Sequence, residues 1–537
     1  MPVTDTRQIR PAESRSPRHA GRSPRQAGRG PAHGVPGSRV PGLILALLLA
    51  AVAAIAAAPL RAQPAELLGL DAYIRQAIHD WEIPGLAIAV VQDDSVVFIR
   101  GYGERHLGSG QPVDEHTRFA IASTTKAMTA AGLGILADEG VIRWDDPVRS
   151  HLPDFELDDP YVTREVTIRD LLTHRTGVGR HDNVWIAGPF DRPEIVRRAR
   201  HLPQSSGFRS GYGYNNIMYM VAGEVTAAAA GTTWEDFVET RLFEPLAMTR
   251  TTPRTAVAES DDNVATAYRP QGGRLVEMDR RDYDALGPAG SVFSTARDMA
   301  QWVRLHLGGG AYQGVQLIDE ATVQEMHEPQ VVIGIGPTAR RRFPTQTFFA
   351  YGLGWRLHDY HGQKVVQHTG AVNYTRTQVG MIPARGIGVV VMTNLSTSNL
   401  QTALMYRVFD AFLGLPEKDW SAEYLEDARR SAAASGRSAA EEADARVTGT
   451  RPSLALDGYA GTYSDNLYGD IRVALEDGRL VLRYSPDYVA DLEHWHHDTF
   501  RAVWRSAGFG HSMVTFSLDA AGRARNLQLQ GFTTFRR

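Results

Sequence analysis

The 537-residue sequence contains no cysteine. That excludes a disulfide framework, a thiolate metal site, a catalytic thiol and a lipid-modified cysteine anchor. Lysine is nearly absent as well. Lys126, Lys364 and Lys418 stand against arginine at the other 54 of the 57 basic positions. A codon bias toward GC explains the arginines but not the lysines that remain. Arginine stays protonated in proteins, whereas a buried lysine can lose its proton. Each remaining lysine is therefore a candidate for proton-transfer chemistry. Long apolar runs are also scarce. The main one, LILALLLAAVAAIAAA over residues 43–58, is short for a membrane span and suits a signal-peptide core.

What precedes that run is rich in Arg, Pro, Gly and Ser and predicts disorder. Cleavage is expected near Ala62, giving a periplasmic or secreted protein. If the segment stays uncleaved, it is the one expected membrane contact. Residues 1–62 carry nine arginines against Asp5 and Glu13, a net +7, whereas the whole chain is −4, so the remainder is about −11. A nucleic-acid partner needs a basic face, and this charge argues against one.

Apolar content of 43% and charged content of 22% are those of a globular protein. Periodicity predicts an amphipathic helix over 65–81, then strands LAIAVV (86–91) and VVFIRGYG (96–103) around an Asp93-Asp94 turn. A helix is expected from Ser123 to Ala137, stopped at Gly140. Residues 145–260 read as mainly helical. Strands follow at 364–368, 376–382 and 387–394, then a helix over 400–413. This pattern predicts an α+β unit over 63–416, an antiparallel sheet flanked by helices with a helical insert. Residues 417–452 read as a helical or loose linker. Over 453–537 the pattern turns all-β. IRVALEDGRLVLRY (471–484) alternates around Asp477-Gly478, and residues 513–530 form a second hairpin pattern. The expectation is a small barrel-like domain.

Three motifs carry chemistry. In FAIASTTKAM, Ser123 and Lys126 stand one helical turn apart and share a face. Apolar neighbours disfavour the charged lysine, the helix N-terminus favours developing negative charge, and the Ser123 N–H can face an oxyanion. Taken alone, S-x-x-K is also a helix cap followed by a solvated lysine. YGYNN supplies Tyr214 and Asn216: a phenol that can move a proton and an amide that can orient a lysine or a carbonyl. His368-Thr369-Gly370 ends a strand, where glycine permits close backbone approach and the next N–H, of Ala371, can donate to an oxyanion. Each motif alone also reads as a cap, a turn or a strand end.

Together, S-x-x-K, Y-x-N and H-T-G in this order resemble the serine β-lactamase and penicillin-binding-protein superfamily, in its class C form. VTIRDLLTHRTGV (166–178), RLFEPLAMTRTT (241–252), PAGSVFSTARDMAQW (288–302) and YGLGW (351–355) resemble further landmarks of it. The resemblance covers about residues 66–414. It implies Ser123 as the acylated nucleophile and Lys126 with Tyr214 as the base system. It further implies Asn216, His368, Thr369 and Gly370 as substrate-binding residues, and the N–H groups of Ser123 and Ala371 as the oxyanion hole. One departure is His368, where the family's lactamases and carboxypeptidases carry lysine. A mostly neutral histidine weakens selection for an anionic substrate terminus.

The β tail resembles a lipocalin-like domain. His494, His496 and His497 are read as strand residues and not as a metal site, and His174 as structural. No metal and no cofactor are expected. The expected function is a serine hydrolase acting through an acyl-enzyme on amides or esters, foremost D-amino-acid peptides, with small molecules, peptides and peptidoglycan fragments as candidate partners. The alternatives are a β-lactamase and a catalytically idle peptidoglycan-binding scaffold.

Overall fold

The structure, a computed structural model, describes residues 64–537 except 280, 373 and 374. The export segment expected over 1–62 lies outside the described residues. Among the described residues no helix is long and apolar enough to cross a membrane.

A nine-stranded antiparallel sheet organises the first part. In chain order its strands are β1 (Gly85–Gln92), β2 (Ser95–His106), β3 (Gln111–Pro112), β4 (Val331–Val332), β5 (Phe349–Tyr351), β6 (Arg356–Tyr360), β7 (Gln363–Val372), β8 (Thr375–Ile382) and β9 (Ile387–Thr393). They lie side by side as β4-β5-β6-β7-β8-β9-β1-β2-β3. The chain therefore makes β1 to β3, leaves for the helical insert, and returns to add β9 beside β1. The Asp93-Asp94 turn is present, with Asp93 at φ 53°.

Strand β1 is buried on both faces, and its residues alternate between two cores. Ala87, Ala89 and Val91 face one, and Leu86, Ile88 and Val90 the other. That is the period of two expected of a strand covered on both sides. The second core holds helix α1 (Leu70–Trp81) and the closing helix α5 (Leu400–Leu413). The first holds helices α2 (Thr125–Asp138), α3 (Asn216–Ala230) and α4 (Ala296–Leu307). Helix α2 is buried over nearly its whole length, as its apolar composition on every face requires. Asn215 caps α3 through its side chain, which accepts from the Met218 N–H at 3.1 Å.

The stretch expected as linker is largely one helix, α6 (Trp420–Asp444). Eight strands then close into a barrel: β10 (Gly461–Asp465), β11 (Gly469–Glu476), β12 (Arg479–Arg483), β13 (Val489–His496), β14 (Thr499–Trp504), β15 (His511–Leu518), β16 (Ala524–Leu529) and β17 (Thr534–Arg536). Asp477 and Gly478 both have positive φ, as the two-residue hairpin turn requires. Closure leaves no sheet edge, and Tyr463, Phe500, Phe516 and Phe535 are buried among the core residues. Pro337 opens a short helix, Pro337–Arg342, at the position where proline's missing N–H costs nothing.

Candidate active site

The site begins at the entry to α2. Ala122 adopts φ 50°, a left-handed conformation that costs a non-glycine residue about 1–3 kcal/mol. It turns the chain from β-structure into a tight turn, Ala122–Thr124, that continues into α2. Ser123 sits on that turn and is partly exposed. One turn later Lys126 is fully buried.

Lys126 Nζ has three oxygen neighbours: Ser123 Oγ at 3.2 Å, Asn216 Oδ1 at 2.7 Å and the carbonyl oxygen of Ala289 at 2.7 Å. Burial holds its pKa well below the ordinary lysine value. Asp182 opposes that shift, while Arg180 and Arg356 add to it. Asn216 is fixed from its other end, its Nδ2 donating to Asp182 Oδ1 at 2.9 Å. Tyr214 Oη lies 2.8 Å from Ser123 Oγ. Burial raises the phenol's pKa, although the Ser123 contact opposes it.

The lysine's partners account for one sequence landmark. PAGSV supplies the Ala289 carbonyl, and the neighbouring Pro288 carbonyl accepts from Thr129 Oγ1 at 2.7 Å. The landmark YGLGW has a packing reason. At Gly354, φ is 80° and a Cβ would stand 2.7 Å from the Cα of Ala127.

The third motif is placed differently from the other two. His368 is buried, and both ring nitrogens are engaged: Nε2 is 2.9 Å from Tyr351 Oη and Nδ1 is 2.7 Å from the Thr369 carbonyl oxygen. Burial holds it neutral, helped by the charge of Arg356. It does not line the cavity that contains Ser123, and neither do Thr369 and Gly370. Gly370 does need to be glycine, but for a contact within the chain. A Cβ there would meet the Ile121 carbonyl oxygen at 2.1 Å. Ala371, next along β7, is exposed and does line the cavity.

That cavity measures about 510 Å³ and is lined by Ser123, Asn216, Ala371, Arg180, Asp182 and Arg376 among others. A second one, about 710 Å³, lies by Arg304 and Pro383 and contains none of the motif residues.

A family profile described as Beta-lactamase matches residues 70–410. The chain belongs to the β-lactamase family. Within that span lie Ser123, Lys126, Tyr214, Asn216 and His368. A second profile, a domain of unknown function called DUF3471, matches residues 445–536 and takes in the barrel. Among relatives, this β-lactamase-family chain is 30% identical over 491 residues to the unguisins hydrolase ungD of Aspergillus violaceofuscus, covering 84% of this chain and 86% of that one. It is 28% identical to penicillin-binding protein 4 of Amycolatopsis lactamdurans, over 62% and 85% of the two chains. Two solved structures share the fold. The octameric penicillin-binding protein homologue of Pyrococcus abyssi gives a TM-score of 0.59 at 21% identity, over 88% of this chain and all of that one. SurE gives 0.54 at 22%, over 88% and 99%.

His174, in the LLTH landmark, is buried against Tyr214, with ring centroids 4.3 Å apart. Its Nδ1 accepts from the Asn215 N–H at 3.1 Å, which places the neutral ring's proton on Nε2. The barrel histidines go separate ways. His494 Nε2 lies 3.0 Å from the His497 carbonyl oxygen, and His496 Nδ1 accepts from the Val447 N–H at 3.3 Å. Two features escaped sequence reasoning. Asp182, which anchors Asn216, sits in an insert with no motif spacing to mark it. The barrel turn around Phe509 lines the same cavity from far along the chain.

Proposed function

We propose that this chain is a serine hydrolase that acylates Ser123 and then hydrolyses the acyl-enzyme. The observation that carries the reading is the set of contacts around Lys126. A neutral amine has two N–H groups and one lone pair. Asn216 Oδ1 and the Ala289 carbonyl, both at 2.7 Å, accept the two N–H groups. The lone pair is left for the Ser123 hydroxyl proton. Burial favours that neutral form. The phenol of Tyr214 is shifted the other way, so it stays protonated and serves as a proton donor and not as a standing phenolate base.

The steps follow. Ser123 Oγ attacks the substrate carbonyl as its proton passes to Lys126. The oxyanion is held by the N–H groups of Ser123 and Ala371. The Tyr214 O–H protonates the leaving amine or alcohol, and a water then attacks the acyl-enzyme, with the same groups returning the protons. Asn216 orients Lys126. His368, neutral and engaged at both nitrogens, brings no charge to the substrate. Among the described residues, the cations that line the cleft are Arg180, Arg281 and Arg376.

The substrates we propose are amides and esters, D-amino-acid peptides foremost, with peptidoglycan fragments among the candidates. The names of the relatives, a hydrolase of unguisins and a penicillin-binding protein, support an acyl-transfer site of this kind. The apolar run at 43–58 supports export to the periplasm or beyond. Labelling with a fluorescent fluorophosphonate tests the reading. Wild type should be labelled and Ser123→Ala should not. A folded Ser123→Ala protein that labels fully would move the nucleophile elsewhere, and an unlabelled wild type would mean an idle site.

A further inference from the structure

The barrel reaches the Ser123 cleft. The turn between β14 and β15 puts Ser506, Gly508 and Phe509 on the wall of the same 510 Å³ cavity. The turn is held there from both sides. Ser506 Oγ donates to Asp279 Oδ2 at 3.0 Å. The Arg281 guanidinium lies 3.9 Å over the Phe509 ring. Behind Phe509, Tyr488 packs with its centroid 3.9 Å away. The barrel as a whole is fastened to the helical insert. Arg198 Nη1 donates to the Asn466 carbonyl at 2.8 Å, and His181 Nδ1 lies 2.9 Å from Tyr468 Oη. The turn is therefore tied to the insert on one side and to the barrel on the other.

The lining mixes polar and apolar side chains. Ser123, Asn216, Asp182, Arg180 and Arg376 are polar, as are Asp279, Arg281 and Ser506 around the turn. Trp185, Ile186, Met278, Leu286 and Phe509 are apolar. In such a cavity the polar groups orient a ligand and the apolar ones select its side chain.

We infer that the Phe509 turn is a specificity wall contributed by the barrel, and that the substrate carries a bulky apolar group beside the scissile carbonyl. This rests on the acyl-enzyme reading above. Phe509 supplies the ring and Arg281 clamps it. The cleft takes a flat or branched apolar side chain against Phe509, Trp185 and Met278, while its polar groups meet Arg376 and Arg180.

The test is the ratio of kcat/KM for p-nitrophenyl phenylacetate to that for p-nitrophenyl acetate, measured on the full chain. Phe509→Ala should lower this ratio about tenfold, the range of a lost apolar contact in a specificity pocket. Phe509→Leu should keep it within about threefold, because an apolar side chain remains on the turn. Arg281→Met, which removes the clamp from the hydrolase side, should lower it severalfold even if the alanine variant fails to fold. An unchanged ratio in folded Phe509→Ala or Arg281→Met, with Ser123 still labelled, overturns the wall. A wild type that is not labelled at Ser123 overturns the acyl-enzyme reading instead, so the two failures are told apart.

Discussion

Two of the regions in which this molecule buries ionisable side chains are built differently. At the cleft, Lys126 has three oxygen neighbours and opens through Ser123 onto a 510 Å³ cavity. Elsewhere in the same core, His306 and His327 lie 3.1 Å apart, Nδ1 to Nε2; His306 packs against Trp302 and Trp355, and His327 against Trp355. Burial holds both neutral. His327 is pulled down to about 3 by burial with help from Lys364, and His306 lies well below its usual value through burial and its neighbour. Yet His306 Nε2 has no hydrogen-bond partner, and neither ring lines the Ser123 cavity. A shifted pKa alone therefore marks burial. What separates the cleft is saturation of the amine's N–H groups together with access to a hydroxyl at a cavity wall.

This comparison can be broken at either end. The largest effect should come from Tyr214. If its phenol protonates the leaving group, Tyr214→Phe should slow turnover of amides by about 10²–10⁴-fold, the usual contribution of a positioned acid. An activated ester with a good leaving group should suffer much less. Equal losses on both substrates in stopped-flow assays would contradict the donor role.

The histidine pair should show in stability and not in turnover. Both folded-state pKa values are depressed, so below about pH 6.5 the unfolded chain binds protons that the folded chain refuses. Stability is full above that pH and falls as pH drops, by up to about 1.4 kcal/mol per pH unit for each such histidine. For His327 the loss continues down to about pH 3, where the folded form finally protonates. Urea midpoints measured from pH 7.5 to 5 should decline, and His327→Gln should flatten the slope. A slope unchanged by that variant would mean that His327 does not titrate on unfolding.

Much of this was legible along the chain because it is local. The helix Leu400–Leu413 and strand β9 follow from short periodic runs. The S-x-x-K spacing brings Ser123 and Lys126 together because both stand on one helical turn. The lysine count was informative for a physical reason that the structure shows. Lys364 is exposed, and Lys418 is half-exposed and paired with Glu423 at 2.7 Å, while Lys126 is buried. What the sequence hid depends on contacts far apart in the chain. Nothing near His368 announces that Tyr351 takes up its Nε2. Strands β4 to β6, at one end of the sheet, are short, with little alternation to read. The Phe509 turn shares a cavity with Ser123 only because the barrel docks on the insert.

The central claim is that Lys126 works as a neutral base and not as a fixed charge. Acylation rates with a fluorophosphonate, measured for wild type, Lys126→Arg and Lys126→Ala, test it directly. Arginine keeps the positive charge but cannot take the Ser123 proton near neutral pH. Both variants should therefore lose about 10²–10⁴-fold, arginine nearly as much as alanine. An arginine variant acylated within a few-fold of wild type would contradict the account.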